Sequence, residues 1–145
     1  MGPRRRGRVL AVQALYAWDF SRGEADSLAE FPWIDEKEAA LIDDTARSFG
    51  RLLLAGTVEN IDAVDEAIRK KLEHWDFQRI NKVDLAVLRM SVYCLLFVKD
   101  IPPSVVIDEA VDIAKDFGTD DSYRFINGVL DGIRKNRERD RKSVV

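Results

Sequence analysis

Cysteine and histidine are almost absent: Cys94 and His74 are the only ones among 145 residues. One cysteine cannot close an internal disulfide, which fits a reducing compartment, and its place between Tyr93 and Leu95 in an apolar run predicts a packing role. One histidine without a cysteine cluster offers no metal-ligand pattern. His74 has no sequence partner and reads as a satisfied turn or helix-end residue rather than a general base. The chain also lacks a glycine-rich phosphate loop and a nucleophile elbow. Paired acids such as Asp43 with Asp44 and Asp120 with Asp121 read as solvated faces or helix caps, so no catalytic residue, metal or cofactor is expected. The longest apolar stretch, Met90 to Val98 with Ser91 included, is far below the roughly 20 residues a bilayer requires. No secretory leader is legible, because the first arginines run into Gln13, Trp18 and Asp19 rather than an uninterrupted apolar region. The expectation is a soluble, cytoplasmic protein.

Charge is plentiful but unevenly placed. The net charge is −3, yet residues 1–8 hold four arginines and no acid, and residues 134–145 hold six basic residues against Glu138 and Asp140. Each end is therefore +4, which leaves −11 for the segment between them. Such ends attract phosphate, and such a body attracts a cationic protein. Arg4-Arg5-Arg6-Gly7-Arg8 leads directly into Val9 to Trp18, a run of helix formers, so the arginines are expected in a disordered lead-in and first turn, an arm tethered to a body. Cations at a helix N-terminus oppose the macrodipole, a cost that a bound polyanion would reverse.

With 46% apolar residues the chain can bury a sizeable core. Apolar positions recur at three and four rather than at two, which predicts an all-α fold of six helices. The first covers about 5–20, and the loop after it reaches Phe31-Pro32-Trp33, with Leu28 docking back. A second runs from near Asp35 to about Thr57, with Leu41, Thr45, Ser48, Leu52 and Ala55 at helical spacing and Gly50 inside it. The third starts at Asn60 as N-cap, with Ile61, Val64, Ile68 and Leu72 on one stripe and Asp62, Asp65, Glu66, Arg69 and Lys70 elsewhere. A turn over 74–79 precedes the fourth, from Ile80 or Asn81 to Val98, whose apolar second half predicts the central, most buried helix. Pro102 and Pro103 separate it from a fifth helix, Pro103 to Phe117, with Gly118 as C-cap. Thr119 or Asp120 caps the sixth, which is expected to dissolve after Ile133 into a basic tail, 134–145. Three helices on each side of residue 75 predict two packed three-helix bundles, roughly 1–75 and 76–138, within one domain spanning 1–145.

Four segments, read in order, resemble the NusB family of bacterial transcription antitermination proteins. They are Arg4 to Arg8 with Val12-Gln13-Ala14-Leu15-Tyr16-Ala17-Trp18; Val83-Asp84-Leu85-Ala86-Val87-Leu88-Arg89; Ile101 to Ala110; and Ala114 to Gly118 with Phe125 to Asp131. The resemblance implies a noncatalytic factor that binds boxA-like single-stranded RNA together with the small-subunit ribosomal protein NusE, in an RNA polymerase antitermination complex during ribosomal RNA synthesis. It implies RNA contacts by Arg4, Arg5, Arg6 and Arg8, with Gln13, Lys115, Phe117 and Asp121 on the same surface. Tyr16, Asp84 and Phe125 match the partner-contacting positions. Arginine suits the first role, since its planar fork matches phosphate and stacks on unpaired bases. Spacing alone also allows Phe117, Tyr16 and Phe125 as core residues, Asp121 as a helix-start acid, and Asp84 as a solvated carboxylate on the polar edge of the fourth helix. Pro103 stands where some relatives carry an aromatic residue, which removes one stacking contact. Two alternatives stay open in the sequence: a helical protein-binding scaffold with a solvated basic tail, and a substrate-binding module of an RNA-modifying enzyme. Whether the free protein hides its RNA surface in a homodimer is open as well.

Overall fold

A computed structural model describes residues 1–72 and 76–143. Within them the chain is all-α: α1 (Pro3–Ser21), α2 (Glu36–Leu41), α3 (Asp44–Glu59), α4 (Ile61–Lys71), α5 (Lys82–Phe97), α6 (Pro103–Phe117) and α7 (Ser122–Ser143), with short 3-10 turns at Leu28–Glu30 and Phe77–Arg79. His74 and Trp75 lie outside the described residues.

Local capping chemistry sets the boundaries that periodicity misses. The single helix expected over 35–57 is two helices, because two carboxylates each start one. Asp35 accepts the Glu38 N–H at 2.8 Å and Asp43 accepts the Thr45 N–H at 2.7 Å, with Ile42 extended between them. Asn60 does not cap α4 with its side chain; its amide donates to the Gly56 carbonyl at 2.8 Å and closes α3 instead. Asn81 does cap α5, accepting from the Val83 N–H at 2.8 Å. Gly118 stops α6 as expected, but its backbone is extended, and its role is close approach: a Cβ there would lie 2.5 Å from Ser122 Oγ. That hydroxyl accepts the Thr119 N–H at 2.9 Å, so α7 begins at Ser122 rather than at 119 or 120. Nor does α7 dissolve after Ile133. It continues through Ser143, since 134–143 contain no proline or glycine and Asp131 braces Arg134 and Lys135 at 2.6 and 3.0 Å across one turn.

Three of the longer helices precede the 77–79 turn and three follow it, and α5 is the element on which the others converge, with α4 packed against α5 and α7. Every residue from Asp84 to Val92 on α5 is buried, together with Cys94 and Leu95, and α5 packs against α1, α3, α4, α6 and α7. Leu28 docks back on the core as expected. On α3 the buried face is the reverse of the apolar stripe in the sequence. Leu41 of α2 and Thr45, Ser48, Leu52 and Ala55 are exposed, whereas Ala46, Gly50, Leu53, Leu54 and Thr57 are buried. Small residues mark the inner face because α1 and α3 approach almost backbone to backbone. A Cβ at Gly7 would sit 2.9 Å from the Ala46 carbonyl, and one at Gly50 would sit 3.1 Å from the Gly7 carbonyl. Buried Thr57 satisfies its hydroxyl by donating to the Leu53 carbonyl at 2.6 Å.

Gly56 offers a direct test of such packing, since an added Cβ would overlap the Tyr93 ring. Helix propensity favours alanine by up to about 1 kcal/mol. Overpacking reverses the sign here, so Gly56→Ala is expected to lose about 1–3 kcal/mol in urea denaturation. Gly128→Ala, at a helical position with open space around it, should show the propensity gain instead. Equal effects at both glycines would refute the packing argument.

One polar network crosses the core. Arg89 of α5 is 1% exposed and donates through Nε and Nη2 to both oxygens of Asp65 in α4, each at 2.9 Å, and through Nη1 to Asp19 in α1 at 2.6 Å. Lys82 Nζ lies 2.9 Å from the other Asp19 oxygen, so two cations face two anions. Asp65 is therefore a core residue, not one of the solvated charges of its helix. Burial pushes the Asp19 carboxyl up, but the hydrogen bonds from Arg89 and Lys82 outweigh it and hold the group below its ordinary value.

Candidate nucleic-acid interface

The arginine cluster is neither an arm nor disordered. Pro3 occupies the first turn of α1, where its missing N–H costs nothing, so Arg4 to Arg8 form the first two helical turns. α1 has no acid in its first turn and no capping side chain, and the compensating anions come from distant helices. Arg5 Nε lies 2.8 Å from Glu109 and its Nη2 lies 2.7 Å from Asp112, both on α6. Those hydrogen bonds raise the Arg5 pKa above its ordinary value. Arg6 reaches Glu38 of α2 at 2.5 Å. Arg4 and Arg8 instead share one aromatic ring, with their guanidinium carbons 4.9 and 5.2 Å from the centroid of Phe49 on α3. Arg4 is exposed, whereas Arg8 is 4% exposed, and burial pulls the Arg8 pKa down. Sequence spacing gave no hint of Phe49, Glu38, Glu109 or Asp112 as partners, since contacts across up to 107 residues leave no local signature.

Farther along α1 lies an apolar groove of about 380 Å³, lined by Val12, Gln13 and Tyr16 with Trp33, Val83 and Phe117. Four elements build it: α1, the loop before α2, the start of α5 and the end of α6. Trp33 is fixed by donating its indole N–H to Gln13 Oε1 at 3.1 Å and by an edge contact with Phe31, with ring centroids 5.7 Å apart. Tyr16, Trp33 and Phe117 are 41, 40 and 45% exposed, so neither Tyr16 nor Phe117 is the core residue that spacing alone allows. Trp33 was not among the site residues legible in the sequence; a tryptophan next to a proline in a polar loop is the signal that could have marked it.

The remaining positions separate. Asp84, at the start of α5 beside the groove-lining Val83, is not solvated: it is 7% exposed, and its Oδ1 has no hydrogen-bond partner among the described residues. Burial raises its pKa, against a smaller opposing effect of the Ser122 hydroxyl. Phe125 is half-buried against the core. Lys115 is exposed with its Nζ 5.0 Å from the Tyr123 ring, and exposed Asp121 precedes α7, its carbonyl accepting the Phe125 N–H at 3.3 Å. Gln13, Tyr16 and Phe117 thus share one groove, and the arginines occupy the other end of the same helix. Cys94 is a core residue whose thiol burial pushes up to about 11. Among the described residues no group of three or more His, Cys, Asp or Glu could hold a metal, and no helix is long and apolar enough to cross a membrane.

The family model described as the NusB family matches residues 5–135. The chain is 54% identical over 133 residues to the transcription antitermination protein NusB of Treponema pallidum subsp. pallidum, covering 92% of this chain and 93% of that one. It is 47% identical to the protein of the same name from Geobacter sulfurreducens, covering 92% and 94%. Among solved structures, NusB of T. maritima superposes with a TM-score of 0.80 at 40% identity, covering 93% of this chain and 92% of that one. A crystal structure of the antitermination factors NusB and NusE in complex with double-stranded RNA gives a TM-score of 0.80 at 29% identity, covering 94% and 98%.

Proposed function

The chain belongs to the NusB family, and from that membership we propose that it recognises boxA-like single-stranded RNA together with the ribosomal protein NusE during ribosomal RNA transcription. By family it is a transcription antitermination protein rather than an enzyme. The observation that carries the reading is the double use of α1. Its first two turns present arginines, and Tyr16, in the groove, lies about 12 Å beyond Arg8 along the same helix. One rigid element can hold a phosphate backbone at one end and an apolar anchor of a partner at the other. This moves Gln13 and Phe117 from the RNA surface implied by the resemblance to the partner side, because they line one groove with Tyr16. The acidic body suits a basic ribosomal protein, because complementary charge speeds encounter and rejects wrong partners. Asp84 lies at the start of α5 beside the groove-lining Val83, on the same side as Tyr16. A relative solved with NusE and RNA makes both ligands reasonable for this chain, and its RNA is double-stranded.

Filter-binding titrations of single-stranded boxA-like RNA and of a duplex, with and without NusE, test the proposal. The variant carrying Arg4→Gln, Arg5→Gln, Arg6→Gln and Arg8→Gln together should lose roughly tenfold or more in affinity, and the wild-type affinity should fall steeply with salt. Unchanged binding by that variant, or binding insensitive to salt, would leave the helical scaffold that binds protein alone as the better reading.

A further inference from the structure

The four arginines are not equivalent, and the difference points to the anion site. Arg5 is engaged by two carboxylates and Arg6 by one, so a phosphate reaching either must first displace an existing ion pair. Among the described residues Arg4 and Arg8 find no hydrogen-bond or ion-pair partner and have only the Phe49 ring beneath them. For Arg8 this is unusual, because a residue 4% exposed with five N–H donors normally finds an acceptor. Glu109 is the acid that acts favourably on Arg8 through space, and it is already bonded to Arg5. The glycine inside the arginine run explains how the ring reaches both cations. A Cβ at Gly7 would lie 3.0 and 3.1 Å from Phe49 atoms, so the phenyl seats on the bare α1 backbone, and Arg4 and Arg8, one turn apart, both reach it.

We propose that Arg4 and Arg8, held on Phe49, are the phosphate-accepting pair of this helix, that Arg5 and Arg6 are braces fastening α1 to α6 and α2, and that Phe49 is a positioning residue. The inference rests on the reading that the chain binds RNA. A phosphodiester has two non-bridging oxygens, which match one guanidinium fork bidentately, and two adjacent forks suit successive phosphates. The ring fixes both side chains before RNA arrives, so less rotamer freedom is lost on binding.

Salt dependence separates these roles, since each phosphate contact on a single strand contributes about 0.7 to the slope of log K against log salt. With a single-stranded boxA-like oligonucleotide and the full chain, Arg4→Gln/Arg8→Gln should reduce the slope by about 1.4. Arg5→Gln/Arg6→Gln should reduce it by less than one contact, about 0.7, while lowering the melting temperature. Arg6→Gln alone serves where the double variant does not fold, as judged by circular dichroism. Phe49→Leu keeps every charge yet should lose most of what Arg4→Gln/Arg8→Gln loses, and Phe49→Tyr, which keeps the ring, should restore it. A slope lost equally in both arginine pairs, or a wild-type slope in Phe49→Leu, would overturn the division of roles. Failure of the RNA-binding reading looks different: the fourfold arginine variant would then bind as the wild type does.

Discussion

Replacing Arg89 by methionine is expected to cost about 3–5 kcal/mol of folding stability, a large share of the 5–15 kcal/mol a domain of this kind possesses. The methionine fills the space of the aliphatic stem but leaves both oxygens of Asp65 without the donors that now sit 2.9 Å away. Asp65 is 5% exposed, so water cannot replace them at little cost. Asp19 is affected less, because Lys82 still holds one of its oxygens. That asymmetry yields a sharper expectation: Arg89→Met/Asp65→Leu also removes the one carboxylate left without a donor and should recover more than half of the loss, as buried ion pairs often tolerate replacement by apolar pairs of similar volume. Urea denaturation with an unchanged m-value is the measurement. A loss below about 1 kcal/mol in Arg89→Met would mean that the network contributes little and that the core alone fixes how α1, α4 and α5 meet.

The same arginine marks where the sequence is and is not informative. Residues 84–95 announce a central helix through their apolar density, and the structure buries almost all of them. Yet Arg89, inside that run, and Asp65, on a helix that looks amphipathic and solvated, give no sign that they meet across 24 residues. Local rules see helical periodicity and caps, and so the helical class and most boundaries are legible. They misplace the inner face of α3, because Leu52 outweighs Ala46 and Gly50 on any hydrophobic scale, whereas close approach of α1 selects the small residues. The candidate site divides in the same way. Arg4, Arg5, Arg6 and Arg8 are visible as a charge cluster, but their pairing with Glu38, Glu109, Asp112 and Phe49 is tertiary. A run of four cations reads as a solvated tail until long-range anions, absent from the neighbouring sequence, allow it to be helical. Tyr16 and Phe117 lie on different helices a hundred residues apart, and only folding shows that they line one groove with Trp33.

That groove carries the second large effect. Tyr16→Ala/Phe117→Ala is expected to weaken binding of the proposed NusE partner by about 2–4 kcal/mol, roughly 30- to 1,000-fold, because exposed aromatics around an apolar recess are the residue types that dominate interface energetics. Both side chains are more than two-fifths exposed in the free chain, so folding stability should change by no more than about 0.5 kcal/mol, and a larger loss would point to a core role instead. Calorimetry with purified NusE measures the first quantity and urea denaturation the second. Binding of RNA in the absence of partner should keep its wild-type salt slope, since no arginine of α1 is altered. The coupling between ligands then becomes a strict test of α1 as the shared element. If NusE tightens RNA binding by some factor, RNA must tighten NusE binding by the same factor. Within the range where partner binding is still measurable, the groove variant should keep that factor while losing affinity, because it removes an anchor and leaves the helix that joins the two surfaces intact. A factor that vanished while partner binding persisted would place the coupling in Tyr16 and Phe117 themselves rather than in the helix.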